Sequence, residues 1–216
     1  MEIIKANVQA HSGSIAYTYV RNKPDNQDLC IMLPGLGYST DQPLFYYATG
    51  LFFEKGFDVL HINYQYDAPV FKNLEREEQF SIVSEDVQSV LEQVIPSTAY
   101  PNFYIMAKST GTAGLIRLLE NNQELDRAKV IWLTPLLHED DVYRRLLNNS
   151  QDSLLIIGDQ DRCYMKERVT ALTAKNTMKI SLMQGTNHSL EHPDGIHQSI
   201  ECLTVIMREF ESFICE

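Results

Sequence analysis

The segment Phe103-Tyr104-Ile105-Met106-Ala107-Lys108-Ser109-Thr110-Gly111 joins an apolar run to a helix-like pattern through a tight turn. Residues 103–106 predict a buried strand, and the pattern from about 110 to 120 predicts a helix. Ser109 lies at the apex, between the small residues Ala107 and Gly111. Small flanking residues let backbone segments approach closely in a sharp turn, which exposes the serine hydroxyl above a sheet. The amino terminus of the helix offers backbone donors to a developing negative charge.

Two other interpretations of this segment need to be considered. Ser109 could simply cap the helix, since serine is common at that position. Lys108-Ser109 also matches the end of the phosphate-loop motif G-x-x-x-x-G-K-[ST], but the positions that need glycine hold Asn102 and Ala107. The residues between them form an apolar strand pattern, whereas a phosphate loop is flexible, so we reject the phosphate-loop interpretation.

Apolar runs and helical patterns alternate along the rest of the chain. Runs typical of strands lie at 14–20, 29–33, 57–62, 103–106, 130–133, 154–157 and 178–183. Helical patterns lie at about 44–55, 81–95, 110–120, 140–147, 166–174 and 197–213. Buried strands that alternate with helices predict a mainly parallel sheet covered on both faces, a three-layer α/β/α fold. No helix separates the first two runs, so we expect an antiparallel N-terminal edge.

Two further strand ends carry residues that could activate a serine. The run 154–157 ends in Gly158-Asp159-Gln160-Asp161, and the run 178–183 leads into Gln184-Gly185-Thr186-Asn187-His188. A serine hydroxyl is a weak nucleophile, so it needs a base to take its proton and an acid to orient that base. In a parallel sheet, ligands bind at the carboxyl ends of the strands, where these residues lie.

The segment around Ser109 resembles the nucleophile elbow of the α/β-hydrolases, whose usual motif is G-x-S-x-G, with Ala107 here in the first small position. The resemblance extends from about Leu29 to the C-terminus, and it implies a mostly parallel eight-stranded sheet. It also implies Ser109 as nucleophile, Asp161 as orienting acid and His188 as base, in the chain order of that family. The alternatives are Asp159 for the acid and His192 or His197 for the base.

The loop Leu33-Pro34-Gly35-Leu36-Gly37-Tyr38 resembles the family's oxyanion-hole loop. The resemblance implies that the backbone N–H groups of Leu36 and Thr110 stabilise the oxyanion. We expect four residues at the substrate: Gly35, Gly37 and Tyr38 of this loop, and Tyr64 after the next strand. Residues 35–40 nearly match the dinucleotide motif G-x-G-x-x-G, but the third glycine is missing and no acidic residue ends the next strand, which argues against that motif.

Residues 64–79 form the longest stretch with no predicted helix or strand. Its apolar residues could line an acyl or aromatic pocket, or they could pin the loop to the surface. These residues are Tyr64, Tyr66, Val70 and Phe71. After the run 130–133 the chain passes almost directly into a helix, which leaves no room for a lid domain. We therefore expect a single domain over residues 1–216.

The composition limits the classes of partner. The formal net charge is −11, and such a surface repels phosphate backbones, so we do not expect nucleic acid as a partner. No apolar run approaches the length of a membrane span, and no signal-peptide pattern is present, so we expect a cytoplasmic protein without a membrane partner. The four cysteines are scattered, which is typical of free thiols. Adjacent residues on a helix point apart, which argues against a metal site at His138, Glu139 and Asp141.

These features predict a serine hydrolase that cleaves a small carboxylic ester or thioester through an acyl-enzyme. Its partner would be a small-molecule acyl substrate, and the chemistry needs no cofactor and no metal. The alternative is a non-catalytic protein that binds a small ligand on the same fold, because a fold does not fix a function. Nothing in the sequence indicates an interface, so the oligomeric state is left open.

Overall fold

The computed structural model describes residues 1–23, 26–66, 69–95 and 100–215, except for the side chains at 69, 70 and 124. The strands are β1 (Glu2–Ala10), β2 (Gly13–Arg21), β3 (Asp28–Leu33), β4 (Asp58–Asn63), β5 (Asn102–Lys108), β6 (Lys129–Leu133), β7 (Ser153–Gly158) and β8 (Met178–Met183). The helices are α1 (Pro43–Glu54), α2 (Pro69–Lys72), α3 (Arg76–Val94), α4 (Thr110–Asn121), α5 (Asp140–Asn148), α6 (Lys166–Leu172) and α7 (Ile196–Cys215). A short 3-10 turn spans Gln123–Leu125.

The strands form one sheet in the order β1-β2-β4-β3-β5-β6-β7-β8. The pairs β1–β2 and β2–β4 are antiparallel, and every later pair is parallel. This arrangement confirms the predicted mostly parallel eight-stranded sheet with an antiparallel N-terminal edge.

Alternate residues of the strands face two separate cores, one on each side of the sheet. In β3, Leu29, Ile31 and Leu33 face the core that is covered by helices α3, α4, α5 and α6. Cys30 and Met32 face the opposite core, which is closed by α1 and α7. Because a central parallel strand is covered on both faces, β3 is apolar at nearly every position. The predicted three-layer α/β/α architecture is confirmed.

The N-terminal edge differs from the prediction in its pairing. β1 (Glu2–Ala10) lies outside the predicted runs, because it is an edge strand with a single buried residue, Val8, and so has no buried apolar run. β2 does not pair with β3. It lies between β1 and β4, with Tyr19 opposite Leu60, and β3 lies beyond β4 in the sheet.

Part of the stretch 64–79 is helical, which corrects the prediction of an irregular segment. Helix α2 spans Pro69–Lys72, and α3 begins at Arg76 instead of near residue 81. A capping box begins α3: Glu75 and Glu78 accept hydrogen bonds from each other's backbone N–H groups. The sequence pattern missed this start because the first turn of the helix is charged.

Two further features bear on the predictions for the whole chain. Residues 134–139 join β6 to α5 and contain no helix or strand, while the absence of a lid domain over residues 1–216 stays a prediction. In the described part of the chain, helices are either too short or too polar to cross a bilayer.

Candidate active site

Ser109 occupies the sharp turn between β5 and α4, as the apex of the predicted strand–turn–helix. Its backbone lies at φ 49° and ψ −116°, a conformation that L-residues rarely adopt. Two hydrogen bonds hold the turn: Ser109 N–H donates to the Leu133 carbonyl over 3.0 Å, and Thr112 N–H donates to the Ser109 carbonyl over 2.9 Å. Strain of this kind persists only where surrounding contacts fix it, and it is common at functional sites.

Small residues allow the turn to pack directly on the loop after β3. A Cβ atom at Gly111 would lie 2.6 Å from the Leu33 carbonyl oxygen and 2.8 Å from the Pro34 carbonyl oxygen. A Cβ atom at Gly35 would lie 3.0 Å from the Cβ of Ser109. The backbone of the loop is therefore in contact with Ser109, and larger side chains at either glycine would separate them.

A chain of hydrogen bonds links Ser109, His188 and Asp161, which come from three different strand ends. His188 Nε2 lies 2.8 Å from Ser109 Oγ, and His188 Nδ1 lies 2.8 Å from Asp161 Oδ1. Because a carboxylate only accepts, Nδ1 carries the imidazole proton and Nε2 accepts from the serine hydroxyl. The Asp161 side chain is fully buried, whereas 23% of the His188 side chain is exposed, so a substrate can reach the imidazole.

The two candidate acids have different partners. Asp161 Oδ1 accepts from His188 and from the backbone N–H of Cys163. Asp159 Oδ1 accepts from the backbone N–H of Gly185 over 2.7 Å, which ties the end of β7 to the loop after β8. Asp159 therefore braces the turn, and Asp161 is the carboxylate that contacts the imidazole.

The alternative bases lie elsewhere. His192 Nδ1 accepts from the backbone N–H of Asp194, and its ring packs against Gly185. His197 is exposed in the first turn of α7. Among the described residues, Ser109 Oγ hydrogen-bonds to His188 and to neither of these histidines.

The candidate oxyanion loop forms a tight turn over residues 35–38. Tyr38 N–H donates to the Gly35 carbonyl, and Gly37 has a positive φ of 75° that favours glycine. Leu36, at the tip, is 40% exposed. Thr110 is the first residue of α4, so its N–H has no acceptor within the helix. The structure thus places both predicted donors on segments that contact Ser109.

A cavity of about 320 Å³ lies along this loop. Gly35, Gly37, Tyr38 and Tyr64, the four residues predicted at the substrate, all line it, together with Leu36 and Tyr66. Tyr64 is anchored by its hydroxyl, which donates to the Pro34 carbonyl over 2.5 Å. Larger cavities of about 390 Å³ and 610 Å³ occur near Arg117 and Lys129, away from the loop, so cavity size alone does not identify the site.

The aromatic residues after β4 divide between the two predicted roles. Tyr64 and Tyr66 line the cavity, and Tyr66 donates to the buried Asp86. Phe71 stacks on the Tyr66 ring with centroids 4.2 Å apart and is buried in the core, so it supports the wall from behind. The side chain of Val70 lies outside the described residues.

Asp161, Cys163 and His188 also bring three potential metal-ligating atoms within 4.8 Å of one another. Hydrogen bonds already occupy both imidazole nitrogens and Asp161 Oδ1. Burial raises the pKa of the Cys163 thiol to about 11, and metals bind the thiolate form. The contacts fit an imidazole relay better than a metal centre. In the other candidate metal group, which is His138, Glu139 and Asp141, the carboxylates have basic partners. Glu139 lies near Arg76, and Asp141 pairs with Arg144.

Sequence reasoning missed two residues of the site. Lys108 entered only as part of a rejected phosphate-loop motif, yet the structure buries it beside the His188 loop. Thr134, buried at a positive φ of 43°, accepts from it. A charged residue between an apolar strand and a candidate nucleophile was the available signal for Lys108, whereas Thr134 is recognisable only in three dimensions.

Comparison with known proteins identifies the fold. No protein-family model matches the sequence, and no curated protein shows significant similarity. Among solved structures, a serine hydrolase without a lid from Xanthomonas campestris is 17% identical, with a TM-score of 0.72 and coverage of 99% of this chain and 94% of that one. A serine hydrolase homologue from Coxiella burnetii is 18% identical, with a TM-score of 0.71 and coverage of 97% and 98%.

A third match is an esterase from Pyrococcus furiosus, which is 13% identical, with a TM-score of 0.71 and coverage of 99% of this chain and 91% of that one. The similarity thus spans nearly the whole of each molecule. The mostly parallel eight-stranded sheet agrees with it. The chain has the α/β-hydrolase fold.

Proposed function

We propose that this protein is a serine hydrolase that cleaves a small carboxylic ester or thioester, with Ser109 as nucleophile. The observation that carries the proposal is the continuous hydrogen-bonded chain from Ser109 through His188 to Asp161. A serine that only capped a helix would need neither the imidazole contact nor the strained backbone.

The reaction follows from this chain of contacts. Ser109 Oγ attacks the substrate carbonyl carbon while its proton passes to His188 Nε2, and the carbonyl oxygen becomes an oxyanion. When the tetrahedral intermediate collapses, His188 gives that proton to the leaving alkoxide or thiolate. Water then attacks the acyl-enzyme by the same route and restores free Ser109. Asp161 holds the imidazole tautomer and balances the charge of the imidazolium.

The oxyanion would be stabilised by the backbone N–H groups of Leu36 and Thr110. Thr110 supports this role because it begins α4, where the N–H groups are unsatisfied and the helix dipole is positive. Leu36 supports it because the preceding residue, Gly35, packs against Ser109. Each fixed donor of this kind typically lowers the free-energy barrier of the reaction by about 3 kcal/mol.

The cavity favours a small acyl group. Its volume of about 320 Å³ lies near the lower end for ligand pockets. Its wall combines the exposed Leu36 with the aromatic residues Tyr38, Tyr64 and Tyr66 and with backbone glycines, a surface suited to a short apolar or aromatic acyl chain. The names of the matched structures, which include serine hydrolases and an esterase, agree with this class of substrate.

We further propose that the enzyme acts in the cytoplasm on small-molecule acyl substrates, without nucleic-acid or membrane partners and without a cofactor. The four cysteines are free thiols, as in a reducing compartment. The formal charge of −11 disfavours polyanionic partners.

The proposal is tested by turnover of a panel of p-nitrophenyl esters of increasing chain length, matching thioesters and matching amides. We expect the parent to hydrolyse short esters or thioesters, with amides much slower, and Ser109→Ala to be inactive. A parent protein that turns over none of them, or whose activity survives Ser109→Ala, would contradict the proposal. A ligand recovered unchanged after long incubation would indicate the non-catalytic binding protein instead.

A further inference from the structure

Lys108 buries a positive charge next to the candidate catalytic residues. The residue is 1% exposed, and it forms no ion pair with any described carboxylate. Burial of an ammonium group without a counter-ion is costly, and an apolar side chain at this position would avoid that cost. Residues that break such a rule without a gain in stability are expected at functional sites.

The ammonium group contacts three other segments of the site. Lys108 Nζ donates to Thr134 Oγ1, at the end of β6, over 2.7 Å and to the backbone carbonyl of His188 over 2.6 Å. It also lies 4.9 Å from the centroid of the Tyr38 ring, in the oxyanion loop. Two oxygens and an aromatic face thus surround a group with three N–H donors. Lys108 therefore connects three segments: the turn that carries Ser109, the loop that carries His188, and residues 33–38, the candidate oxyanion loop.

The turn that carries His188 is closed by hydrogen bonds within residues 187–191. Asn187 N–H donates to the Glu191 carbonyl, Leu190 N–H donates to the Asn187 carbonyl, and Ser189 N–H donates to Asn187 Oδ1. Bonds with Asp159 and Gln160 tie the preceding residues, Gly185 and Thr186, to the turn after β7. The bond from Lys108 to the His188 carbonyl links the turn to the strand that ends at the nucleophile.

We propose that Lys108 is a positioning residue whose ammonium group holds the His188 loop and the oxyanion loop in register with Ser109. The kinetic part of this inference rests on the proposed hydrolase function. The structural part does not, because it concerns the geometry of the imidazole itself.

The charge of Lys108 makes the inference testable by pH. Burial lowers the pKa of Lys108 to about 8, although Asp161 partly opposes this effect. The charged or titratable groups around it are Asp161, Arg162 and Cys163 after β7, His188 and Glu191 on the histidine loop, and Tyr38. Burial raises the pKa values of Cys163 and Tyr38, so neither loses its proton near pH 8. Loss of the ammonium charge weakens both hydrogen bonds and the ring contact.

The first experiment compares the parent with Lys108→Met, which has similar length but no donor. We expect kcat for p-nitrophenyl acetate, and the rate of fluorophosphonate labelling, to fall about 10- to 100-fold with KM nearly unchanged. In the folded parent, both rates should fall several-fold as the pH rises through about 8, whereas Lys108→Met should lack this alkaline decline. Thr134→Val, which leaves the His188 bond in place, should retain it.

A second readout does not require turnover. The proton shared by His188 Nδ1 and Asp161 should give a far-downfield proton NMR signal in the parent, and this signal should broaden or vanish in Lys108→Met. An unchanged signal in the folded variant would overturn the inference, even if the protein proves not to be a hydrolase. If Lys108→Met does not fold, the pH dependence of the parent tests the inference. Turnover and labelling rates of the folded parent that stay constant from about pH 7 to 10 would also overturn it.

Discussion

Asp159 and Asp161 lie two positions apart on one turn, but they contact different partners. Both follow β7, and in the sequence only the spacing between Gly158 and the acid, which in α/β-hydrolases is two residues, favoured Asp161. The structure distinguishes them by direction: Asp161 faces the imidazole and Asp159 faces the backbone of Gly185. The direction of a side chain in a turn depends on contacts from distant segments, here the loop after β8, which local sequence does not contain.

This difference leads to a matched pair of variants. Asp161→Asn should reduce kcat roughly a thousandfold or more, because the amide no longer holds the productive imidazole tautomer. Asp159→Asn should stay within a few-fold of the parent, since an amide oxygen can still accept from Gly185 N–H. The measurement is kcat for the best ester of the panel, with melting temperatures to show that both variants fold. Equal losses in the two variants would contradict the assignment of Asp161.

At the scale of elements, the turn between β5 and α4 and the loop after β3 form one packed unit. The small residues around Ser109 indicated a sharp turn in the sequence, but not the surface against which it packs. Gly111 and Gly35 show that this surface is the candidate oxyanion loop. The missed start of α3 has a different cause, because the capping box of Glu75 and Glu78 uses charged residues that a hydrophobic pattern does not register.

The packed unit predicts the effect of adding one methyl group. Gly111→Ala should destabilise the protein by about 1–3 kcal/mol and slow fluorophosphonate labelling, because the new Cβ would meet two backbone carbonyls. Gly50→Ala is the control: Gly50 lies in α1 with open space around it, so alanine should stabilise the helix by up to about 1 kcal/mol. Urea denaturation and labelling rates check both variants. A Gly111→Ala protein as stable and as reactive as the parent would contradict the close packing.

At the scale of the whole molecule, the fold class was predictable from alternating patterns, whereas the strand order was not. Apolar runs such as 29–33 predict buried strands of a parallel sheet, and the structure confirms them. That β4 separates β2 from β3 depends on pairing between distant residues, such as Tyr19 with Leu60. The candidate site was predictable in outline because its residues lie at strand ends. Lys108 was not, since its role depends on contacts with three distant segments.

A buried histidine predicts how the stability of the whole molecule depends on pH. Burial lowers the pKa of His61 to about 4, and its Nε2 lies 2.7 Å from Thr49 Oγ1. The unfolded chain therefore binds a proton that the folded protein does not, so stability falls as the pH drops from about 6.5 toward 4. The loss should approach about 3 kcal/mol and should be absent in His61→Gln. Urea denaturation at both pH values measures it, and identical pH dependence in the two proteins would contradict it.

The central claim is that Ser109 is a nucleophile activated by His188, and site-resolved fluorophosphonate labelling tests it most directly. Cleavage after Lys108 and Arg117 by trypsin isolates residues 109–117 as one peptide that contains Ser109. The account predicts that mass spectrometry of this peptide shows the phosphonyl adduct on Ser109 in the parent, with labelling lost in Ser109→Ala and strongly slowed in His188→Ala. A parent protein that stays unlabelled, or an adduct on another residue, would contradict it.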